Sequence, residues 1–155
     1  RECGIVNTLN NDKHDLKEAV MDWTDGQGAR IVVEAIGISE LIAQAASITS
    51  RHGELILLGT PRAHAVFDAT AMLLDIHMRA IRMIGALEWT WPQNPVQRAR
   101  DITANYKLLV DWIYSGKLLT RTLLTHVAKP GECQDIYEGL TGNKDEYISS
   151  VFDWT

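Results

Sequence analysis

Blocks of apolar and polar residues predict alternating helices and buried strands in the first half of this chain. The segment DLKEAVMDWT (15–24) places apolar residues on one helical face, and Asp15 followed by Glu18 resembles a capping box. Next, ARIVVEAIG (29–37) is apolar at odd and even positions alike, as in a strand that is covered on both faces of a sheet. GIVNTL (4–9) is a further short strand candidate ahead of the helix.

The alternation then continues through two more helix–strand pairs. We expect a helix over ELIAQAASITS with Ser39 as its N-cap, followed by the buried strand ELILLGT. DATAMLLDIHM predicts a helix that Asp68 caps, and AIRMIGAL predicts a third buried strand. This order is typical of an α/β fold with a parallel sheet and right-handed crossovers.

The pattern changes at EWTWPQNP (88–95), where two prolines and an asparagine interrupt the alternation. A long helix is predicted from about Val96 until Gly116 ends the apolar repeat. The apolar segment LLTHVA, a helix through ECQDIYEGL and a last strand YISSVFDW follow. We therefore expect an internal boundary that divides the chain into residues 1–92 and 93–155.

Composition limits the class of protein. The 155 residues are 46% hydrophobic, which is enough for a core, and a formal net charge of −5 without a basic block argues against a nucleic-acid surface. No apolar run approaches the ~20 residues that cross a bilayer. The first residues, RECGIVN, lack an initiator Met or a leader, so we expect a piece of a longer protein. We expect Cys3 and Cys133, which have no CxxC spacing, to be unpaired thiols in the cytoplasm.

Few side chains stand out as chemical groups. The histidines form no HExxH motif or close ligand pair, so we expect no catalytic or metal-binding residue in this chain. Arg51 and Arg62 flank a strand and are candidates for phosphate contact, although solvated arginines are commoner. Trp89 and Trp91 suit either a wall over a substrate or the edge of a core, and we favour packing.

Five ordered segments carry a resemblance to the C-terminal half of zinc-type alcohol dehydrogenases, in the medium-chain dehydrogenase/reductase family. They are ARIVVEAIG, GELILLGTP, IRMIGAL, LLTHVAKPGECQDIYEGL and GNKDEYISSVFDW. The resemblance implies a partial Rossmann domain over residues 1–92 that lacks its first strands. It implies that residues 93–155 form a helix and a segment that packs on the separate catalytic domain.

The resemblance also implies which residues face a cofactor, NAD or NADP, in the parent protein. The turn at Ile36 and Gly37 would lie along it, and the turn at Leu58, Gly59 and Thr60 would meet the nicotinamide end. Ala86 would contact the carboxamide. Independently, parallel strands leave their carboxyl ends at such a crevice, and glycines allow close backbone approach to a ligand.

Other parts of the family pattern do not occur in this sequence. The strand–GxGxxG–helix unit for pyrophosphate and the zinc ligands are expected before residue 1, so zinc is expected in the parent only. Where the last strand of the family often carries an Arg or Lys that reaches cofactor phosphate, this sequence has Ser149; whether nearby Lys144 takes that place is left open by the resemblance.

We therefore expect the C-terminal fragment of an oxidoreductase that moves hydride between a nicotinamide and an alcohol or carbonyl, inactive alone. The alternative is a non-enzymatic Rossmann remnant that oligomerises or binds a partner; a methyltransferase-like domain is disfavoured because its glycine-rich loop is also missing. With two strands missing, one edge of the strand RIVVEAI would have no neighbour. We expect either that Ile5 and Val6 pair with residues 31–34 or that a second chain covers that edge. Family dimers instead join through the strand matching IRMIGAL, so a dimer or larger homo-oligomer is expected.

Overall fold

A computed structural model describes residues 3–62, 64–87 and 94–155. Its helices are α1 (Leu16–Trp23), α2 (Ser39–Ile48), α3 (Ala69–Arg79), α4 (Pro95–Tyr114) and α5 (Cys133–Gly142). Its strands are β1 (Ala29–Glu34), β2 (Thr49–Leu57), β3 (Arg82–Gly85), β4 (His126–Ala128) and β5 (Ser150–Phe152). Short 3-10 helices precede and follow β4, at Arg121–Leu123 and Pro130–Glu132. The α/β class with a parallel sheet is confirmed.

The chain divides into two compact units, Leu9–Asn94 and a unit that combines Arg1–Thr8 with Pro95–Thr155. The first eight residues thus group with the second half of the chain, whereas the sequence pattern placed them with the sheet. The segment EWTWPQNP, where we expected the boundary, lies largely outside the described residues, as do Trp89 and Trp91.

The first unit is built on a parallel three-stranded sheet in the order β1-β2-β3. Val32, Leu55 and Met83 share one register position across it. Helices α2 and α3 cover one face, where Leu55 is fully buried against Ala45, Ala46 and Ile81. Burial of these apolar side chains is the main source of stability for the unit.

The opposite face of β1 differs from the expectation of a strand covered on both sides. Ile31 is 59% exposed and Val33 is 51% exposed, although the alternate residue Val32 packs on the core. The apolar run was therefore a correct signal for a strand, but in the described residues only one of its faces is covered.

Local hydrogen bonds explain where two helices begin. A carboxylate oxygen of Asp15 accepts from the Glu18 amide at 2.8 Å, and one of Asp68 accepts from the amides of Thr70 and Ala71. Both side chains satisfy amides that have no partner within the helix, as predicted. Ser39 is not the cap of α2, because that helix starts at Ser39 and its N-cap residue is Ile38.

The strand predicted over GIVNTL is wrong. Residues 5–9 have no regular secondary structure, and Ile5 and Val6 are 60% and 77% exposed. The strand that was expected to pair with residues 31–34 therefore does not form. A short apolar segment becomes a strand only with a neighbour to bond to, and this one has none among the described residues.

The second unit contains α4, α5 and a parallel pair of strands, β4 and β5, in which His126 pairs with Ser150 and Ala128 with Phe152. The long helix α4 ends as predicted: the amide of Gly116 donates to the Ile113 carbonyl and Gly116 has φ +72°. That left-handed conformation is accessible to glycine at little cost. None of the described helices is long and apolar enough to cross a membrane.

Candidate functional site at the carboxyl edge of the sheet

The carboxyl ends of β1, β2 and β3 bring together all six residues that the sequence proposed for a cofactor site. Ile36 and Gly37 follow β1, and Leu58, Gly59 and Thr60 follow β2. Ala86 follows β3, and its amide donates to the Leu57 carbonyl at 3.0 Å. We call these six residues, at the carboxyl ends of the strands, the crevice, since ligands of open parallel sheets bind at this end of the strands.

The two glycine turns of the crevice are packed backbone against backbone. A Cβ on Gly59 would lie 2.8 Å from the carbonyl carbons of Ala35 and Ile36, and one on Gly37 would meet the main chain of Thr60. The amide of Arg62 also donates to the Gly37 carbonyl at 3.2 Å. Glycine is thus required at both positions by the contact between the turns, whatever binds there.

The crevice presents apolar side chains and main-chain polar groups together. Ile36 follows β1 and Leu58 follows β2, and these side chains are 50% and 48% exposed, whereas Gly37 is buried. Apolar surface beside a few fixed hydrogen-bonding groups is the usual character of a small-molecule site.

Sequence reasoning missed one residue of this edge, Glu34. It is 5% exposed, and its Oε1 accepts from the amides of Ile36 and Gly37, both at 2.8 Å. Its main-chain oxygen accepts from the amides of Leu58 and Gly59 at 2.9 and 2.8 Å. The available signal was a single acidic residue inside the apolar run RIVVEAIG.

The arginine flanking the start of β2 does not belong to the crevice. Arg51 lies at the amino end of that strand and lines a cavity of about 680 Å³ with Arg30, His52 and Arg79. In β1, Ala29 to Ile31 span two steps, but their partners in β2 are Thr49 and Glu54, five residues apart. This bulge carries Arg51 and His52 away from the regular ladder.

Two polar side chains of the second unit, His126 and Ser149, have structural partners there. The His126 ring stacks on Tyr147 with centroids 3.7 Å apart, and its Nδ1 is 2.9 Å from the Thr125 hydroxyl. Ser149 donates its hydroxyl to the Leu123 carbonyl at 2.6 Å and accepts from Thr125 through its main-chain oxygen. Over residues 3–62, 64–87 and 94–155, no three His, Cys, Asp or Glu side chains are grouped to hold a metal.

Comparison with known proteins agrees with this α/β architecture and its parallel sheet. The profile of the zinc-binding dehydrogenase family matches residues 1–115. The chain belongs to that family.

A curated relative is the uncharacterized zinc-type alcohol dehydrogenase-like protein YdjJ of Escherichia coli (strain K12). It is 22% identical over 150 residues, which are 97% of this chain and 38% of the relative. The chain therefore spans well under half of that protein's length.

Solved structures share the fold. An Escherichia coli oxidoreductase/dehydrogenase of unknown specificity superposes with a TM-score of 0.77 at 20% identity, over 99% of this chain and 39% of that one. A protein from Escherichia coli CFT073 described as a short chain alcohol dehydrogenase, solved with NADH, gives a TM-score of 0.69 at 13% identity, over 97% of this chain and 39% of that one.

Proposed function

We propose that this chain is the C-terminal part of an NAD(P)-dependent, zinc-type alcohol dehydrogenase-like oxidoreductase, and that its crevice binds the nicotinamide end of the cofactor. The observation that carries the proposal is the meeting of three strand ends at one edge, with two glycine turns in mutual contact. The family supports it, as does the NADH bound to a protein of the same fold. The whole protein would pass hydride between the nicotinamide and an alcohol or carbonyl.

In this proposal the described residues bind and orient the cofactor and do no bond chemistry themselves. Exposed Ile36 and Leu58 would contact the nicotinamide ring and keep water from it. Main-chain groups at Thr60 and Ala86 would hold the carboxamide, because backbone N–H and C=O groups match both ends of an amide. Residues 1–92 would be the second half of a Rossmann domain, and 93–155 the segment that returns to a catalytic domain.

Zinc does not fit the described residues, which offer no ligand group. In the proposed parent the ion would be held elsewhere and would polarise the substrate oxygen. No step of that chemistry is assigned to this chain. We propose accordingly that the isolated chain is inactive and takes up no stoichiometric zinc. We also propose that the protein is cytoplasmic and forms a homo-oligomer.

Titration of the isolated chain with NADH and NADPH, followed by amide NMR, tests the binding proposal. We expect shifts confined to the amides at the crevice with a Kd weaker than about 10 µM, since pyrophosphate contacts would be missing. Arg51 and its cavity are the internal control, because they lie at the other end of β2. Shifts at that cavity and none at the crevice would contradict the proposal, as would stoichiometric zinc in elemental analysis of the purified chain.

A second function has one observation in its favour. Among the described strands β1 pairs only with β2, so it is an edge strand, and its Ile31 and Val33 side chains are exposed on one face. Such an edge suits a non-enzymatic module that oligomerises or binds a partner through strand addition. A chain that assembles through β1 but shows no crevice shifts with either nucleotide would favour this alternative.

A further inference from the structure

One buried residue, Glu34, contacts both turns of the crevice, the first through its side chain and the second through its main-chain oxygen. Through Oε1, Glu34 binds the amides of Ile36 and Gly37, and through its main-chain oxygen it binds those of Leu58 and Gly59. Four amides that belong to two different strand ends thus depend on one residue. No other contact described above binds both turns in this way.

The second carboxylate oxygen of Glu34 has a different character. Oε2 is buried and has no hydrogen-bond partner in the part of the chain that the structure describes. An unpartnered polar atom in such a place is costly, so packing alone would not favour a glutamate there. All the hydrogen bonding of the side chain is concentrated in Oε1.

We propose that Glu34 is the positioning residue of the crevice: it holds the Ile36–Gly37 and Leu58–Gly59 turns in the geometry that accepts the cofactor. This inference rests on the proposed function for the identity of the ligand. Glu34 acts through the turns, and its buried carboxylate is not assigned a contact with the cofactor. Without Oε1, the amides of Ile36 and Gly37 would lose their acceptor and the first turn would open.

The wild-type chain gives the first test, which needs no mutation. NMR couplings across hydrogen bonds are measured from the amides of Ile36 and Gly37 to the side-chain carboxyl carbon of Glu34. Detectable couplings at both amides support the proposal. Their absence in the folded chain overturns it.

Two substitutions of similar size separate positioning from simple burial. Glu34→Gln keeps one acceptor oxygen, and since Oε2 has no partner its replacement by an amide group breaks no hydrogen bond. Glu34→Met fills the same space with no strong acceptor. Thr49→Val is the matched control: Thr49 is fully buried in the same sheet and donates to the Ala45 carbonyl, but it starts β2, at the far end from the crevice.

Hydrogen exchange at the amides of Ile36 and Gly37 is the readout for the turn. We expect about tenfold faster exchange in E34M, less than about threefold change in E34Q, and no local change at these amides in T49V. The proposal would be overturned if these amides exchanged as fast in E34Q as in E34M. It would also be overturned if they exchanged no faster in E34M than in T49V.

NADH titration separates this inference from the proposed function. If the wild-type chain shows crevice shifts on titration, E34M should raise the Kd for NADH about tenfold. E34Q and T49V should keep the Kd of the wild-type chain. Equal weakening by E34M and T49V would mean that Glu34 serves stability alone and would overturn its positioning role. If the wild-type chain shows no shifts, the cofactor proposal fails, and couplings and exchange still decide whether Glu34 holds the turns.

Discussion

Gly37 and Gly59 lie in turns that touch through their main chains, and a side chain on either glycine would project into the backbone of the other turn. A Cβ on Gly59 would lie 2.8 Å from the carbonyl carbon of Ile36, and a Cβ on Gly37 would lie 2.7 Å from that of Thr60. Real Cβ atoms do not approach backbone so closely, so the turns pack together only because both residues lack side chains.

Substitution of either glycine by alanine should therefore destabilise the sheet unit. We expect Gly59→Ala to lower the free energy of unfolding by about 1–3 kcal/mol through overpacking. Gly37→Ala should cost about 1–2 kcal/mol more than packing alone, because φ +80° is strained for a residue with a Cβ. Urea denaturation followed by circular dichroism gives both values.

Gly85→Ala is the control for these variants. Gly85 ends the neighbouring strand β3, and a Cβ there would meet no atom within 4 Å. Its free energy of unfolding should change by less than about 0.5–1 kcal/mol. Equal effects at Gly85 and Gly59 would show that the turns yield to a side chain and that their contact is not tight.

The parts of the fold that local residues encode could be predicted from the sequence. Asp15 and Asp68 each bond to amides two or three residues ahead, so the start of a helix is determined by residues close together in the sequence. The apolar strands β1 and β2 were recognisable for a similar reason. GIVNTL was not, since a strand exists only if a neighbour pairs with it.

The candidate site was predictable only in part. The turns at Gly37 and Gly59 followed from the ordered resemblance, but the role of Glu34 depends on amides at Leu58 and Gly59, which belong to another strand. Arg51 lies away from the crevice, beside a bulge that adds residues of β2 between Thr49 and Glu54, and no pattern in the sequence marks where a ladder shifts.

Arg79 should be important for the stability of the sheet unit. Its guanidinium donates to the carbonyls of Ala46 and Ser47 at the end of α2 and to that of Thr49, and it lies 3.2 Å from Asp75. Arg79→Lys keeps the charge but cannot reach three carbonyls, so we expect a loss of about 1.5–3 kcal/mol in unfolding free energy.

The matched control for Arg79 is Arg82→Lys. Arg82 is an arginine of the same unit, and its ion pair with Glu54 is at the surface, where its own side chain is 71% exposed. We expect a change below about 1 kcal/mol for that variant. Calorimetric unfolding compares the two, and an equal loss at both positions would contradict a special role for the buried carbonyl contacts.

Asp153 should titrate at unusually low pH. The Thr155 hydroxyl first, then Lys129 and the Thr155 amide, bond to its carboxylate and lower its pKa from 3.8 to about 2. A lowered pKa in the folded chain means that this carboxylate stabilises folding above pH 3.8 and that the contribution disappears as the pH falls toward 2.

Carboxyl-carbon NMR between pH 1.5 and 6, a range chosen to span roughly both pKa values, measures this shift directly. Thr155→Val should raise the pKa of Asp153 toward its ordinary value more than Lys129→Met does, because the hydroxyl is the larger cause. Lys117→Met removes an exposed lysine elsewhere and should leave the pKa of Asp153 unchanged. An unshifted pKa of Asp153 in the wild-type chain would show that neither the Thr155 hydroxyl bond nor the Lys129 contact at 2.9 Å persists in solution.

The free edge of β1 should decide how the chain assembles. Residues 5–9 form no strand, so of the two expected arrangements we retain the one in which a second chain pairs there. Unpaired N–H and C=O groups beside exposed Ile31 and Val33 favour addition of a strand. Light scattering after size exclusion should therefore show at least a dimer of the 17.3 kDa chain at micromolar concentration.

Charge at that edge should weaken assembly without unfolding the chain. Val33→Lys adds a cation to a half-exposed position of β1 and should raise the dimer dissociation constant about tenfold or more. Val66→Lys is the matched control, since Val66 is 88% exposed and lies outside the strands. If the wild-type chain is a 17.3 kDa monomer at every concentration, or if both lysine variants dissociate it equally, pairing through β1 is wrong.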